Sequence, residues 1–262
     1  MSNYLHGHQE AVLRSHRSRT AENSAAYLLP VLRPGDRVLD LGSGPGTITC
    51  DLAGLAAEVV AFEHTEAALD LTRQEAARRD VTNLSFQAAD AHRLPFGDDS
   101  FDVAHAHQVL QHLPDPVTAL RELARVVRPG GYVAARDSDY SGFFWHPRVP
   151  ALDEWLALYL DLARRAGGEP DAGRWFPTWA SAAGLTDVRI TSSTWCYTTS
   201  AERIWWGELW ADRAIASEFA QRAIGAGVTT ERLDELSNGW REWAKAETGL
   251  FLIPHVELLA RV

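Results

Sequence analysis

The sequence predicts an α/β fold, a doubly wound and mainly parallel sheet of seven strands, and three observations carry that expectation. From Arg37 to Asp137 short apolar runs alternate with amphipathic stretches. A turn holding Gly42, Gly44 and Gly46 follows the first of those runs directly. After residue 137 the texture changes, and all ten tryptophans lie at or beyond Trp145.

Residues 5–32 read as helical, with Val12, Leu13, Tyr27, Leu28 and Val31 set between charged residues until Arg33-Pro34-Gly35 ends the run. A strand RVLDLG begins at Arg37. A helix near 47–57, the strand EVVAFE (58–63), a helix near 65–79 and the strand LSFQAAD (84–90) complete a βαβαβ pattern, whose crossovers require parallel strands. FDVAHAH (101–107) is a fourth strand, 115–127 a helix, Arg128-Pro129-Gly130-Gly131 a turn, and YVAARD (132–137) a fifth strand. Helical patterns at 150–166 and 172–183 form an insertion before a strand at 189–198. Residues 200–224 and 229–247 are helical again, and 249–262 supplies a last strand despite Pro254. The chain is read as one domain: an N-terminal helical segment (1–35), a ligand-binding core (36–137), a helical insertion (138–186), and a remainder (187–262) that completes the sheet and a pocket.

Composition narrows the chemistry. The 262 residues, 46% hydrophobic and 23% charged, suit an ordinary globular protein. The formal net charge of −10 opposes attraction to nucleic-acid phosphates, although Arg14, Arg17 and Arg19 make a local basic stretch. Lys245 is the sole lysine, which leaves Schiff-base and phosphate-lysine chemistry almost without candidates. Cys50 and Cys196 have no CxxC spacing, so neither a disulfide framework nor a thiolate zinc site is expected. The N-terminus lacks the apolar core of a signal peptide, and no run approaches the ~18 apolar residues of a membrane span. The expectation is a cytoplasmic protein acting on a small molecule, without nucleic-acid or membrane partners.

The most informative segment is Val38-Leu39-Asp40-Leu41-Gly42-Ser43-Gly44-Pro45-Gly46-Thr47, a strand entering a GxGxG turn and then a helix. Glycines allow a tight turn and a close approach of backbone to ligand, and ligands of open α/β sheets sit beyond the carboxyl ends of the strands. A dinucleotide fingerprint would place its third glycine at position 47, where this chain has Thr47, and Pro45 is foreign to that phosphate-binding turn.

VLDLGSGPG resembles motif I of the class I S-adenosylmethionine methyltransferases, in the broad group that includes the ubiquinone-biosynthesis type, and the resemblance covers residues 36–137. It implies a Rossmann-like fold, S-adenosyl-L-methionine as cofactor and S-adenosyl-L-homocysteine as product. It also implies roles: Glu63, ending the second strand, on the ribose hydroxyls; His64 against the adenine; Asp90 on the adenine amino group, with Ala89 and Ala91 lining the base. Asp40, Gly42, Ser43, Gly44, Gly46 and Thr47 form the motif I contact, with Gln108 and His112 near the end of the fourth strand. Leu94-Pro95-Phe96, Asp99-Ser100-Phe101-Asp102 and the stretch from Leu123 to Gly131 resemble later motifs of the family. A sulfonium cofactor also suits an acidic protein, because carboxylates and aromatic faces stabilise a cation.

On the acceptor side, His105, His107 and His112 cluster at the fourth strand's end. Strand alternation puts His105 and His107 on one face, and His107 is the first candidate for a base or cofactor contact. His112 falls in a following turn, where simple packing is the plain alternative. Asp137-Ser138-Asp139-Tyr140 ends the fifth strand; Asp137 is a second candidate base, and Asp139 and Tyr140 are candidate substrate contacts. The aspartate pair lacks further metal ligands, so a metal-free reaction is expected. His6-Gly7-His8 and Arg19-Thr20-Ala21-Glu22-Asn23 are candidates to fold over the cofactor, with His8 a substrate contact. Trp145 and Trp206 are candidate pocket residues, against the alternative that the tryptophans only pack a core. In-line methyl transfer needs positioning in a dry site more than covalent catalysis. Two other readings stay open: a protein that keeps this fold for another reaction or for binding, and an NAD(P)-dependent oxidoreductase, which Thr47 opposes.

Overall fold

The computed structural model describes residues 10–262, with side chains from Leu13 onward. In chain order the elements are α1 (Glu10–His16), α2 (Ala21–Ser24), β1 (Arg37–Leu41), α3 (Thr47–Ala53), β2 (Glu58–Glu63), α4 (Glu66–Arg78), β3 (Leu84–Ala88), β4 (Phe101–His107), α5 (Pro116–Val126) and β5 (Val127–Ser138). There follow β6 (Phe144–His146), α6 (Pro150–Arg165), α7 (Ala172–Ala183), β7 (Asp187–Tyr197), α8 (Ser200–Ala216), α9 (Glu218–Gly225), α10 (Thr230–Ala244) and β8 (Leu250–Arg261).

The chain divides into two compact units. The turn unit holds His16–Asp137, Ala172–Ser192 and Val256–Val262; the tryptophan unit holds Ser138–Asp171 and Ser193–His255 with the described residues before His16. In the turn unit the strand order is β3-β2-β1-β4-β5-β8, with β7 paired to β8, and β1, β2, β3, β4 and β5 run parallel. Chain order reverses between β1 and β4, the switch point beyond which open α/β sheets bind ligands. Both sheet faces are covered, which explains why the central strands read as nearly continuous apolar runs. Leu39, Leu41, Ala104 and Ala106 pack with Leu120 and Leu123 of α5 on one face, while Val38, Val59 and Val103 pack with Leu28 and Leu52 on the other.

The expected sheet of seven strands becomes eight, because three residues after β5 form β6, antiparallel to Leu250–Leu252 of β8 in the tryptophan unit. The parallel order of the first five strands is as the periodicity predicts. The single helix expected over 5–32 is broken, and its first residues lie outside the described ones. Thr20 and Asn23 close a capping box that starts α2 afresh, and Leu29–Val31 is only a 3₁₀ turn containing Pro30. Arg128–Gly131 lies inside β5 as an irregularity of register with β4, because Gly130, at φ +83°, bends the strand without ending it. Ser217 divides the helix expected over 200–224: its hydroxyl bonds the Arg213 carbonyl and accepts from the Phe219 N–H, ending α8 and capping α9. Pro254 is accommodated within β8, its carbonyl accepting the Asp139 N–H at 3.1 Å.

The tryptophan unit holds eight of the ten tryptophans, all but Trp175 and Trp179. Its core joins Trp155 of α6, Trp210 of α8, Trp240 and Trp243 of α10, and Phe251 of β8. Among the described residues no helix is long and apolar enough to cross a membrane.

Candidate functional site

The glycine turn leaves β1 at the switch point and is held from three sides. Gly42, Gly44 and Gly46 have φ of +75°, +53° and +82°, a region that side chains rarely adopt. A Cβ on Gly42 would lie 2.3 Å from Val109 Cγ2, and one on Gly46 would lie 2.8 Å from Thr72 Cα. From β2, the Phe62 carbonyl accepts the N–H groups of Gly42 (2.8 Å) and Ser43 (3.2 Å), and Glu63 Oε1 accepts the Gly44 N–H at 2.8 Å. From α4, the Thr72 hydroxyl lies 2.9 Å from the Gly44 carbonyl and 2.8 Å from Ser43 Oγ. Thr72 has one proton, which it gives to the carbonyl, so Ser43 is the donor to Thr72. From below, Asp40 accepts Thr49 Oγ1 at 2.6 Å on one oxygen and meets His105 Nδ1 at 2.8 Å with the other.

The structure gathers several expected residues at these strand ends. Glu63, half-buried, meets the turn from the end of β2, and the Ala89 N–H bonds the Glu63 carbonyl at 3.0 Å, bringing the stretch after β3 beside it. Gln108 follows β4 with φ +53°; its N–H donates to the Arg136 carbonyl at 2.7 Å and its Oε1 accepts Arg19 Nη2 at 2.7 Å. A strained residue at this edge is where a binding site stores conformational cost. His107 ends β4, buried and in register with Arg136. Asp137 is fully buried. Burial pushes its pKa well up, against a smaller opposing pull from the backbone N–H groups of Gln111 and Leu110 and the charges of Arg136 and Arg19.

Other expected residues are engaged locally. The carboxylate of Asp90 is exposed and accepts both the backbone N–H (2.9 Å) and the ring Nδ1 (2.7 Å) of His92, bonds that lower its pKa. His64 is exposed. Thr47 is buried, with its hydroxyl directed to the His16 carbonyl at 3.4 Å. Asp139 accepts the Gly142 N–H at 3.0 Å and so caps the 3₁₀ turn Tyr140–Gly142. Tyr140 stacks on Tyr159 at 4.2 Å, Trp206 on Tyr197 at 4.6 Å, and Trp145 on Phe251 at 5.7 Å. These rings belong to one cluster of the tryptophan unit. His8 lies outside the described residues. Among the described residues no three His, Cys, Asp or Glu side chains gather as a metal site.

Sequence reasoning passed over Thr72 and Thr49. Thr72 had a signal: the buried stripe of α4 is Ala68, Leu69, Thr72 and Ala76, and a hydroxyl there needs a partner beyond its own helix.

His112, half-buried, has its pKa pulled down to about 4 by burial, with a further push from the Arg19 charge. The folded protein therefore declines a proton that the unfolded chain accepts between pH 6.5 and about 4. Stability falls as pH drops through that window, by at most about 3.5 kcal/mol at ~1.4 kcal/mol per pH unit. The variant His112→Gln is expected to lose less stability than the parent between pH 7.5 and 4.5 in urea titrations; equal losses would show that the ring protonates freely in the folded state.

Comparison with known proteins agrees with this architecture. A family model described as a methyltransferase domain matches residues 32–165. A protein of Schizosaccharomyces pombe described as an uncharacterized methyltransferase is 31% identical over 95% of this chain and 93% of its own length. A demethylmenaquinone methyltransferase of Beutenbergia cavernae is 36% identical over 53% of this chain and 56% of that protein. The solved YcgJ protein of Bacillus subtilis superposes with a TM-score of 0.60 at 19% identity, over 92% of this chain and 98% of that one, a likeness of fold. The matched domain and the full-length relative agree with the glycine turn at the switch point, and the chain belongs to the S-adenosylmethionine-dependent methyltransferase family.

Proposed function

We propose that the chain binds S-adenosyl-L-methionine at the glycine turn and transfers its methyl group to a small-molecule acceptor without a metal. The observation that carries this reading is Glu63, whose carboxylate reaches the Gly44 N–H at 2.8 Å beside a turn that has no side-chain bulk at Gly42, Gly44 or Gly46. That donor set fits the group. A carboxylate with two acceptor oxygens suits a ribose diol, and bare backbone suits the close passage of the amino-acid portion. When bound, S-adenosyl-L-methionine would supply an electrophilic methyl group to the acceptor's lone pair, with the sulfonium carbon–sulfur bond as the one broken and S-adenosyl-L-homocysteine as the leaving group.

The chain's own residues bind, orient and move protons. Glu63 holds the ribose in place of its own bond to Gly44. His64, Ala89, Asp90 and Ala91 border the adenine, with one Asp90 oxygen already given to His92. Ser43, Thr47, Gln108 and His112 frame the remainder, and Asp40 acts through the turn it anchors. An acceptor hydroxyl or amine loses its proton to His107 or, second, to Asp137, whose burial raises its pKa and makes its carboxylate a stronger base than an exposed one. The acceptor contacts are assigned to Asp139 and to the rings of Tyr140, Trp145 and Trp206, which the chain itself packs against Tyr159, Phe251 and Tyr197, and a planar organic acceptor is the kind such rings hold. The demethylmenaquinone methyltransferase among the relatives is in keeping with such an acceptor.

Calorimetric titration tests the reading. S-adenosyl-L-homocysteine is expected to bind at about 1–100 μM, Glu63→Ala to weaken it at least about tenfold, and NADH not to bind. Binding of NADH alone would overturn the proposal.

A further inference from the structure

The geometry points to His105 as a positioning residue for cofactor binding, acting through Asp40 on the glycine turn, an inference that rests on the function proposed above. Asp40 is the last polar residue of β1 before the turn, and Thr49 stands in the first turn of α3 after it. The bond from Thr49 Oγ1 to Asp40 Oδ2, at 2.6 Å, joins the two sides of the loop at its neck. All three glycines of the turn lie between these residues, at positive φ. Glycine has the widest choice of backbone conformations, so a turn of this composition binds well only if something outside it fixes its shape.

Asp40 does that fixing only if its own carboxylate is fixed. It is buried, 3% exposed, and its second oxygen is held by His105 Nδ1 at 2.8 Å. His105 projects from β4, the strand on the other side of the switch point, and is in register with Asp40 in the β1–β4 pair. Its ring is 0% exposed, and among the described residues Nε2 has no hydrogen-bond partner, so the bond to Asp40 is the one hydrogen bond its ring makes with them. The arrangement fixes the proton on Nδ1, because a carboxylate can only accept. Both carboxylate oxygens are thus taken up by the chain. Asp40 serves cofactor binding as the pin of the loop, and His105 is the residue that keeps the pin from turning.

The prediction concerns affinity for S-adenosyl-L-homocysteine measured by calorimetry. His105→Leu removes the donor and is expected to weaken binding about tenfold, which corresponds to about 1.4 kcal/mol. His105→Gln keeps an N–H donor on a side chain of similar reach and is expected to stay within about threefold of the parent. Thr49→Val opens the other side of the neck. The double variant Thr49→Val/His105→Leu is expected to lose less than the product of the two single losses, because both act through one carboxylate.

Leu123→Ala, a core change in the same unit away from the turn, serves as the control for a general loss of stability. A merely structural role would make His105→Leu resemble that control and would leave His105→Gln as weak as His105→Leu. If the parent fails to bind S-adenosyl-L-homocysteine, the proposed function falls. If the parent binds and His105→Leu binds within twofold of it, this inference alone falls. Should His105→Leu not fold, Thr49→Val carries the same comparison, and unchanged affinity there refutes the neck.

Discussion

Replacing Gly46 by alanine is expected to destabilise the protein by about 3 kcal/mol and to weaken S-adenosyl-L-homocysteine binding about 100-fold. Two costs combine. An L-residue at a φ of +82° pays the left-handed penalty of about 1–2 kcal/mol, and the new Cβ would stand 2.8 Å from both Cα and Cγ2 of Thr72. A flexible side chain would move aside, but Cα belongs to the backbone of α4, so the helix or the turn must shift, an overpacking cost of about 1–3 kcal/mol. The shift is amplified in function because Thr72 also holds the Gly44 carbonyl and Ser43 Oγ. Displacing it by a fraction of an ångström misplaces the turn's amides, and misplacements near 1 Å cost about 100-fold. Gly44→Ala provides the contrast. Its φ is +53°, yet the nearest atom to a Cβ is the Gly42 carbonyl oxygen at 4.0 Å, so only the backbone term applies and about 1 kcal/mol is expected. Urea denaturation of both variants, with calorimetry at matched folded fraction, separates the two terms. Equal stability losses would show that the Thr72 contact is not what reserves position 46 for glycine.

Much of the fold was legible because a doubly wound sheet writes itself into local pattern. Buried parallel strands read as apolar runs, and the helices between them carry apolar stripes, so β1 to β5 and α3 to α5 sit within a few residues of where periodicity places them. The breaks that periodicity missed are also local, but they depend on polar caps. Thr20 with Asn23, and Ser217 with Phe219, offer the backbone side-chain partners that outcompete helix continuation, a contest that hydrophobic spacing does not register. The candidate site divides along the same line. The turn and the acid at the end of β2 are visible as positions, since each follows a strand. What fixes them is not: Ser43 meets Thr72 29 residues on, and Asp40 meets His105 65 residues on. Reading β4 by alternation puts His105 on one face with His107, but only the β1–β4 register shows that Asp40 stands directly opposite. Asp90 teaches the reverse. Its bonds to His92, two residues away, are a short-range turn that the sequence permits but that a family role for Asp90 does not suggest.

Trp240→Ala is expected to cost the tryptophan unit about 3–5 kcal/mol, the range for deleting a fully buried large aromatic. Trp240 is 0% exposed at the centre of a ring network: edge-on to Trp155 at 4.7 Å and Trp243 at 6.1 Å, stacked with Trp210 at 5.8 Å, and against Phe251 at 5.3 Å. Edge-to-face pairs add about 0.5–1.5 kcal/mol each beyond buried area, so the loss is not confined to the vacated volume. Collapse around the cavity is also restricted. A Cβ on Gly207 of α8 would lie 2.6 Å from Ala244 Cβ and 2.9 Å from the Trp240 carbonyl oxygen, so α8 and α10 already touch at backbone distance there and have no room to close further. Trp240→Phe keeps an aromatic face in the same place and is expected to lose about half as much. Because the chain has two compact units, the loss is read on the unit that holds Trp240. The measurement is therefore urea unfolding followed by tryptophan fluorescence, which reports chiefly on the unit that holds eight of the ten indoles. A loss below about 1 kcal/mol for Trp240→Ala, the level of a surface change, would mean that Trp240 does not stand in the close-packed core that its ring contacts describe.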